Sequence, residues 1–180
     1  SLGAVSDTVG AVSIGANGGS ITSSTGVLTG TGYTFSNTSP NTGTVSAILA
    51  GTGALTQSGT GTTTLSGANT YSGATTVSAG TLALSGGSAL ADTAAVSVAS
   101  GATLSVGTAE TINTLALSGT LSGTSALTAT TSASLTGGAV STVLSTAALS
   151  SSGASSLNSA TTATTSATVT AGTLTLNNGR

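Results

Sequence analysis

The sequence predicts an all-β fold, a parallel β-solenoid in which the chain coils and each strand pairs with its equivalent one turn away. Three observations predict it. Apolar residues alternate with Ser, Thr or Ala over short runs bounded by Gly or Ser-Gly breaks, which is the period of a strand. The Asn-Gly turns that announce hairpins occur only at Asn17-Gly18 and Asn178-Gly179, so antiparallel pairing is not the organising theme. Segments also recur. Thr76-Val-Ser-Ala-Gly-Thr-Leu-Ala-Leu84 aligns with Thr168-Val-Thr-Ala-Gly-Thr-Leu-Thr-Leu176 at seven of nine positions, 92 residues on.

Along the chain, the alternating runs are residues 45–49, 62–65, 81–84, 96–98, 103–106, 114–117, 168–170 and 173–176. Each places Leu, Val or Ile on one face and small residues on the other. Tyr33 and Phe35, two apart, fill the inside of a wide coil in the same way. Thr, Ser and Gly are weak helix formers, so only residues 88–95 offer a helical turn. With roughly 20–25 residues per coil, the 180 residues make about seven to nine coils. The 92-residue offset then reads as four coils of 23. The shorter recurrence of Leu82-Ala-Leu-Ser-Gly86 at Leu115-Ala-Leu-Ser-Gly119 is a second, weaker echo. No composition shift divides the chain, so residues 1–180 read as one solenoid, a segment or subunit of a longer rod.

Composition supports this architecture and excludes most chemistry. Thr, Ser, Ala and Gly supply 128 of the 180 residues, whereas Leu, Val, Ile and Phe supply 36. One large-residue core is under-supplied, but a sheet wound on itself has a narrow interior that accepts small side chains. The chain has no His, Cys, Met, Trp or Lys; its charges are Asp7, Asp92, Glu110 and Arg180. No thiolate or imidazole is available for a transition metal or a nucleophile–His pair. No basic surface exists for nucleic acid. The longest apolar run, residues 47–50, is far too short to cross a membrane as a helix. The expectation is a protein without enzymatic activity, cofactor or metal.

The candidate sites are few. Asp92 and Glu110 lie 18 residues apart and would share adjacent rungs, but a hard cation needs more oxygens. They read as solvated turn acids. Tyr33, Phe35 and Tyr71 are the only aromatics, and a carbohydrate-stacking platform is weighed against core packing. Asn37-Thr38-Ser39 fits an N-glycosylation pattern by chance. Gly51-Thr-Gly53 and Ser58-Gly-Thr-Gly61 lack the strand–helix context and Lys of a phosphate loop. The Thr-x-Thr pairs at 62–64, 168–170 and 173–175 are too irregularly spaced to line up on one face, as an ice-binding solenoid would require.

One stretch, residues 51–82, is specific enough to name. Its core, Leu65-Ser-Gly-Ala-Asn-Thr-Tyr-Ser-Gly73, is followed by Thr75-Thr-Val77 and Gly80-Thr-Leu82. It resembles the passenger-associated transport repeat, also called the autotransporter-associated β-strand repeat. The repeat-defining positions are Leu65, Gly67, Asn69, Tyr71, Gly73, Val77, Gly80 and Leu82, with Tyr71 anchoring a corner and Asn69 bonding backbone at a turn. The resemblance implies a right-handed parallel β-helix exported by a Gram-negative bacterium and displayed outside the cell. Two features depart from it: no translocator barrel is visible, and the charge content is far below that of a typical passenger.

Three functions follow as expectations. The first is an extracellular structural unit of a surface fibre, filament or biofilm-matrix adhesin that associates end to end with copies of itself. The second is an adhesin module for carbohydrate or other surfaces. The third is an amyloid-like fibre whose strands stack between chains.

Overall fold

The computed structural model describes residues 4–158 and 161–177. Among them there is no helix, every strand pairing is parallel, and the strands stack into a solenoid of about nine turns. The Asn178-Gly179 turn and Arg180 lie outside the described residues.

Three sheets form the walls. Sheet I joins, in spatial order, β2 (Ala11–Ile14), β5 (Gly32–Phe35), β8 (Leu55–Gln57), β10 (Thr75–Val77), β12 (Ala95–Val98), β14 (Glu110–Leu117), β16 (Leu127–Thr136), β18 (Leu144–Ser152) and β20 (Thr161–Val169). Sheet II joins β3 (Gly19–Ile21), β6 (Thr42–Val45), β9 (Thr62–Leu65), β11 (Thr81–Leu84), β13 (Thr103–Val106), β15 (Thr120–Gly123), β17 (Ala139–Val140), β19 (Ala154–Leu157) and β21 (Thr173–Leu176). The short sheet III joins β1 (Asp7–Thr8), β4 (Val27–Thr29) and β7 (Ile48–Ala50).

Alternation decides which side chains enter the interior. On sheet II the inward row runs Leu82, Leu104, Leu121, Val140, Leu157, all buried and each paired with the next. On sheet I, Tyr33, Leu55, Thr75, Val96 and Leu115 form the matching row. Tyr33 and Phe35 lie inside, as their spacing predicts. A parallel ladder buries its apolar face against the opposite wall while every strand pairs with neighbours above and below.

Turn length changes along the rod. Thr75 pairs with Val96, 21 residues on, whereas Leu127 pairs with Leu144, 17 on. The 20–25-residue coil therefore describes the first half only. In early turns a corner at residues 51–54 separates β7 from β8. Later, the third wall and sheet I fuse into single long strands, and the corner shrinks to a bulge between Ile112 and Thr114, Ala129 and Ser132, or Thr146 and Ala148.

This shortening corrects the repeat arithmetic. Thr76 reaches Thr168 through Ser97, Ala116, Ser134 and Ser150, which is five turns rather than four. The Leu82 and Leu115 segments lie on different sheets, so their likeness is not a structural repeat. Residues 45–49 are not one strand either. Ser46 and Ala47 both donate to Ile21 O and turn the chain from sheet II to sheet III. The helical turn at 88–95 does not form; Ala89 and Leu90 are buried beside the interior instead.

The ladder makes a position-specific expectation. Leu55→Ala should lower stability by about 2–5 kcal/mol, whereas Thr56→Ala, one residue away on the outer face of sheet I, should stay within about 0.5 kcal/mol. Urea unfolding of the two variants checks this.

Candidate functional site

The third wall is interrupted below β7, and two buried polar side chains, Asn69 and Glu110, lie there. Thr70 N and Tyr71 N donate to Leu49 O (2.8 and 3.1 Å), but residues 69–71 and 88–91 are not strands. Side chains supply the missing rungs. Asn69 Oδ1 accepts from Leu49 N (2.8 Å), and its Nδ2 donates to Ala89 O (2.7 Å), so one amide bridges the turns above and below. Glu110, 2% exposed, accepts from Ala89 N (2.9 Å) and Leu90 N (3.2 Å) before β14 resumes the wall. A buried backbone N–H or C=O left without a partner costs free energy comparable to a lost hydrogen bond, which explains these polar residues in an otherwise apolar interior.

Two tyrosines pack beside the interruption with ring centroids 5.9 Å apart. The Tyr33 hydroxyl accepts from Gly30 N (2.8 Å) and Ala50 N (3.2 Å), with Leu28 O and Ala50 O available for its proton. Tyr71 Oη lies 2.7 Å from Thr75 Oγ1. Burial raises both phenols above the ordinary tyrosine range. Neither ring reaches the surface, nor does Phe35, so core packing holds over the carbohydrate-stacking platform.

Other sequence candidates resolve similarly. Asn37 is buried, donating to Asn41 O and Thr62 O and accepting from Thr63 Oγ1, so it is no glycosylation acceptor. Gln57 Nε2 donates to Gly59 O (2.9 Å) beside this corner. Asp92 is exposed while Glu110 is buried, which corrects the reading of both as solvated acids; the Glu110 oxygens face backbone donors rather than a shared cation position. No group of three or more His, Cys, Asp or Glu that could hold a metal ion occurs among the described residues.

The strongest sequence signal coincides with the interruption. Residues 55–84 match the family model of the passenger-associated-transport-repeat. No curated protein and no solved structure matches the chain. The matched segment begins on β8 and ends on β11, so it holds one full turn plus the strands that stack on it. Within it Leu55 pairs with Thr75, and Leu65 with Leu84. The repeat therefore carries both partners of its own ladder.

Each repeat position has a place in that turn. Leu65, Val77 and Leu82 point inward and are buried. Asn69 and Tyr71 form the polar interruption; Asn69 bonds the turns above and below it, not only its own. Gly67 and Gly73 lie against the carbonyls of Ala47 and Gly53, where a Cβ would come within 2.3 Å of oxygen. Gly80 combines a positive φ of 60° with the carbonyls of Gly59 and Gly61 at its missing Cβ. Sequence reasoning missed the Glu110 and Asn37–Thr63 pairings, because each joins residues 20 or more apart with no local motif.

Two expectations follow. Asn69→Leu should strand Leu49 N–H and Ala89 C=O, costing about 1–3 kcal/mol per buried group. Hydrogen exchange at the Leu49 amide should accelerate more than at Leu104. For Glu110, burial is the larger influence and raises the carboxyl above its ordinary 4.5; the Ala89 and Leu90 amides oppose it, and Asp92 adds a small upward push. The folded chain then holds that proton more tightly than the unfolded chain. This contribution is complete below pH 4.5 and is lost as pH rises through the folded value. The melting midpoint should fall as pH rises above 4.5, and Glu110→Gln should flatten that slope in thermal scans.

Proposed function

We propose that this chain is a structural rod segment of an autotransporter passenger-type surface protein, exported by a Gram-negative bacterium and extended by turns added end to end. The observation that carries this reading is the passenger-associated repeat seated in the rod as a self-stacked turn. Parallel stacking gives a stiff element whose length grows with the number of turns. Nine strands at ~4.8 Å spacing make about 38 Å.

The rod's last described turn supports extension. Val169 and Leu176 continue the inward rows of Ser151 and Leu157 and are 51% and 61% exposed. Such an edge accepts another turn, from the same polypeptide or from a second copy. Surface fibre, biofilm-matrix adhesin and filament are the roles this geometry favours. An adhesin for glycans or other surfaces would have to use the Ser/Thr faces, since the aromatics are buried. The ladders run within one chain, unlike those of a fibre that stacks strands between chains.

Secretion tests the reading. Placed between a signal peptide and an autotransporter translocator barrel, the 180-residue chain should appear outside the cell as a protease-resistant rod. Removing residues 55–84 should reduce display. Intact display without them would overturn the role assigned to the repeat, and cytoplasmic retention of the whole chain would overturn the surface assignment.

A further inference from the structure

We propose that the outer face of sheet II is a side-by-side interface between two copies of the chain. The inference rests on the solenoid and not on its export or its growth from the ends. Five successive turns place threonine at one outward position: Thr42, Thr62, Thr81, Thr103 and Thr120 are each paired with the next. Two residues along each strand, the neighbouring row is Thr44, Thr64, Ala83, Ser105 and Ser122. The three Thr pairs singled out in the sequence do not all share this face, as their spacing predicts. Thr62, Thr64 and Thr175 all lie on sheet II, with Thr62 and Thr175 in one row; only the 168–170 pair belongs to sheet I.

The face is regular where sheet I is not. No pairing from β3 to β21 carries a register shift, whereas β14, β16, β18 and β20 each bend at a bulge. It is also unprotected. Among the described residues, Asp7 sits on sheet III, Asp92 in a turn and Glu110 inside, so no charge marks the sheet II surface. Exposed sheets of soluble proteins usually carry such charges, and net charge near zero favours association.

A second copy fits the chemistry. Short β-branched side chains in straight rows interdigitate between facing sheets about 10 Å apart. A two-fold arrangement lets each row meet itself in reverse, as an isologous contact requires. Nine strands at ~4.8 Å and four residues at ~3.3 Å give a plane of about 38 by 13 Å. That covers about 500 Å² per partner, close to the ~1,000 Å² total that a specific contact needs.

Sedimentation equilibrium of the 180-residue chain, with electron microscopy of the same sample, tests the proposal. The expected particle has twice the chain mass and twice the rod width at unchanged length. Thr81→Lys with Thr103→Lys should give folded monomers, while Thr76→Lys on sheet I should leave the dimer intact. Mixing the double Lys form with the matching double Glu form should restore pairing. Thr103→Cys, the only thiol in the chain, should oxidise to a covalent dimer even if the Lys variant misfolds. Longer rods of single width would overturn this interface while leaving end-to-end growth standing. A wild-type monomer at micromolar concentration would also overturn it, as would a monomer whose sheet II face shapes growing ice.

Discussion

Among the described residues, every strand pairs only with strands one turn above or below it. A strand of three or four residues such as β10 cannot be stable alone; it exists because Thr75, Thr76 and Val77 pair with β8 on one side and β12 on the other. This dependence explains the composition. The interior is only as wide as two facing rows of side chains, so Leu, Val, Ala and Thr suffice. The outer face contributes little to packing, so Ser, Thr and Ala fill it. The corners must let one turn's backbone rest on the next, as Gly80 does over the Gly59 and Gly61 carbonyls. A chain poor in large apolar residues is thus well suited to one architecture and poorly suited to a single-core globule.

The same dependence explains why the interior is not wholly apolar. Where the third wall is interrupted, the backbone ladder is incomplete, and the N–H groups of Leu49, Ala89 and Leu90 and the Ala89 carbonyl turn to side chains. Asn69 replaces two rungs because an amide both donates and accepts. Glu110 replaces two others, but a carboxylate so deeply buried is held at an electrostatic cost. The interruption is therefore the place where the ladder's continuity depends on single side chains. It is also where the rod's stability depends on pH, through the Glu110 carboxyl.

The fold was legible because stacking imprints a period of two on each strand and small residues on each corner. β9, β11 and β13 have the bounds that alternation predicts. Alternation does not encode which wall a strand joins. The likeness of Leu82 and Leu115 misleads because an identical pentapeptide satisfies either sheet. Turn length was hidden for a related reason: fusing the third wall with sheet I removes corner residues without altering the alternation. The repeat segment was readable because it spans more than one turn and so contains its own pairing partners. Glu110 was not, since its partners are bare N–H groups at positions 89 and 90, whose side chains give no signal.

Growth and lateral contact follow different rules on such a rod. The end of any such ladder offers unpaired backbone groups, with which a turn of compatible register can pair. A side wall has its backbone fully paired, so its affinity comes only from the fit of side-chain rows. Charges placed along a wall would suppress lateral contact without affecting stacking, because outward residues do not enter the ladder. This sequence places none on sheet II while retaining threonine in one row for five turns. Stacking alone does not require that row: Ala139 and Ser156 occupy the same line farther down and pair just as well. The uninterrupted threonines therefore reflect a demand from outside the rod, and a face that must match another copy of itself supplies it.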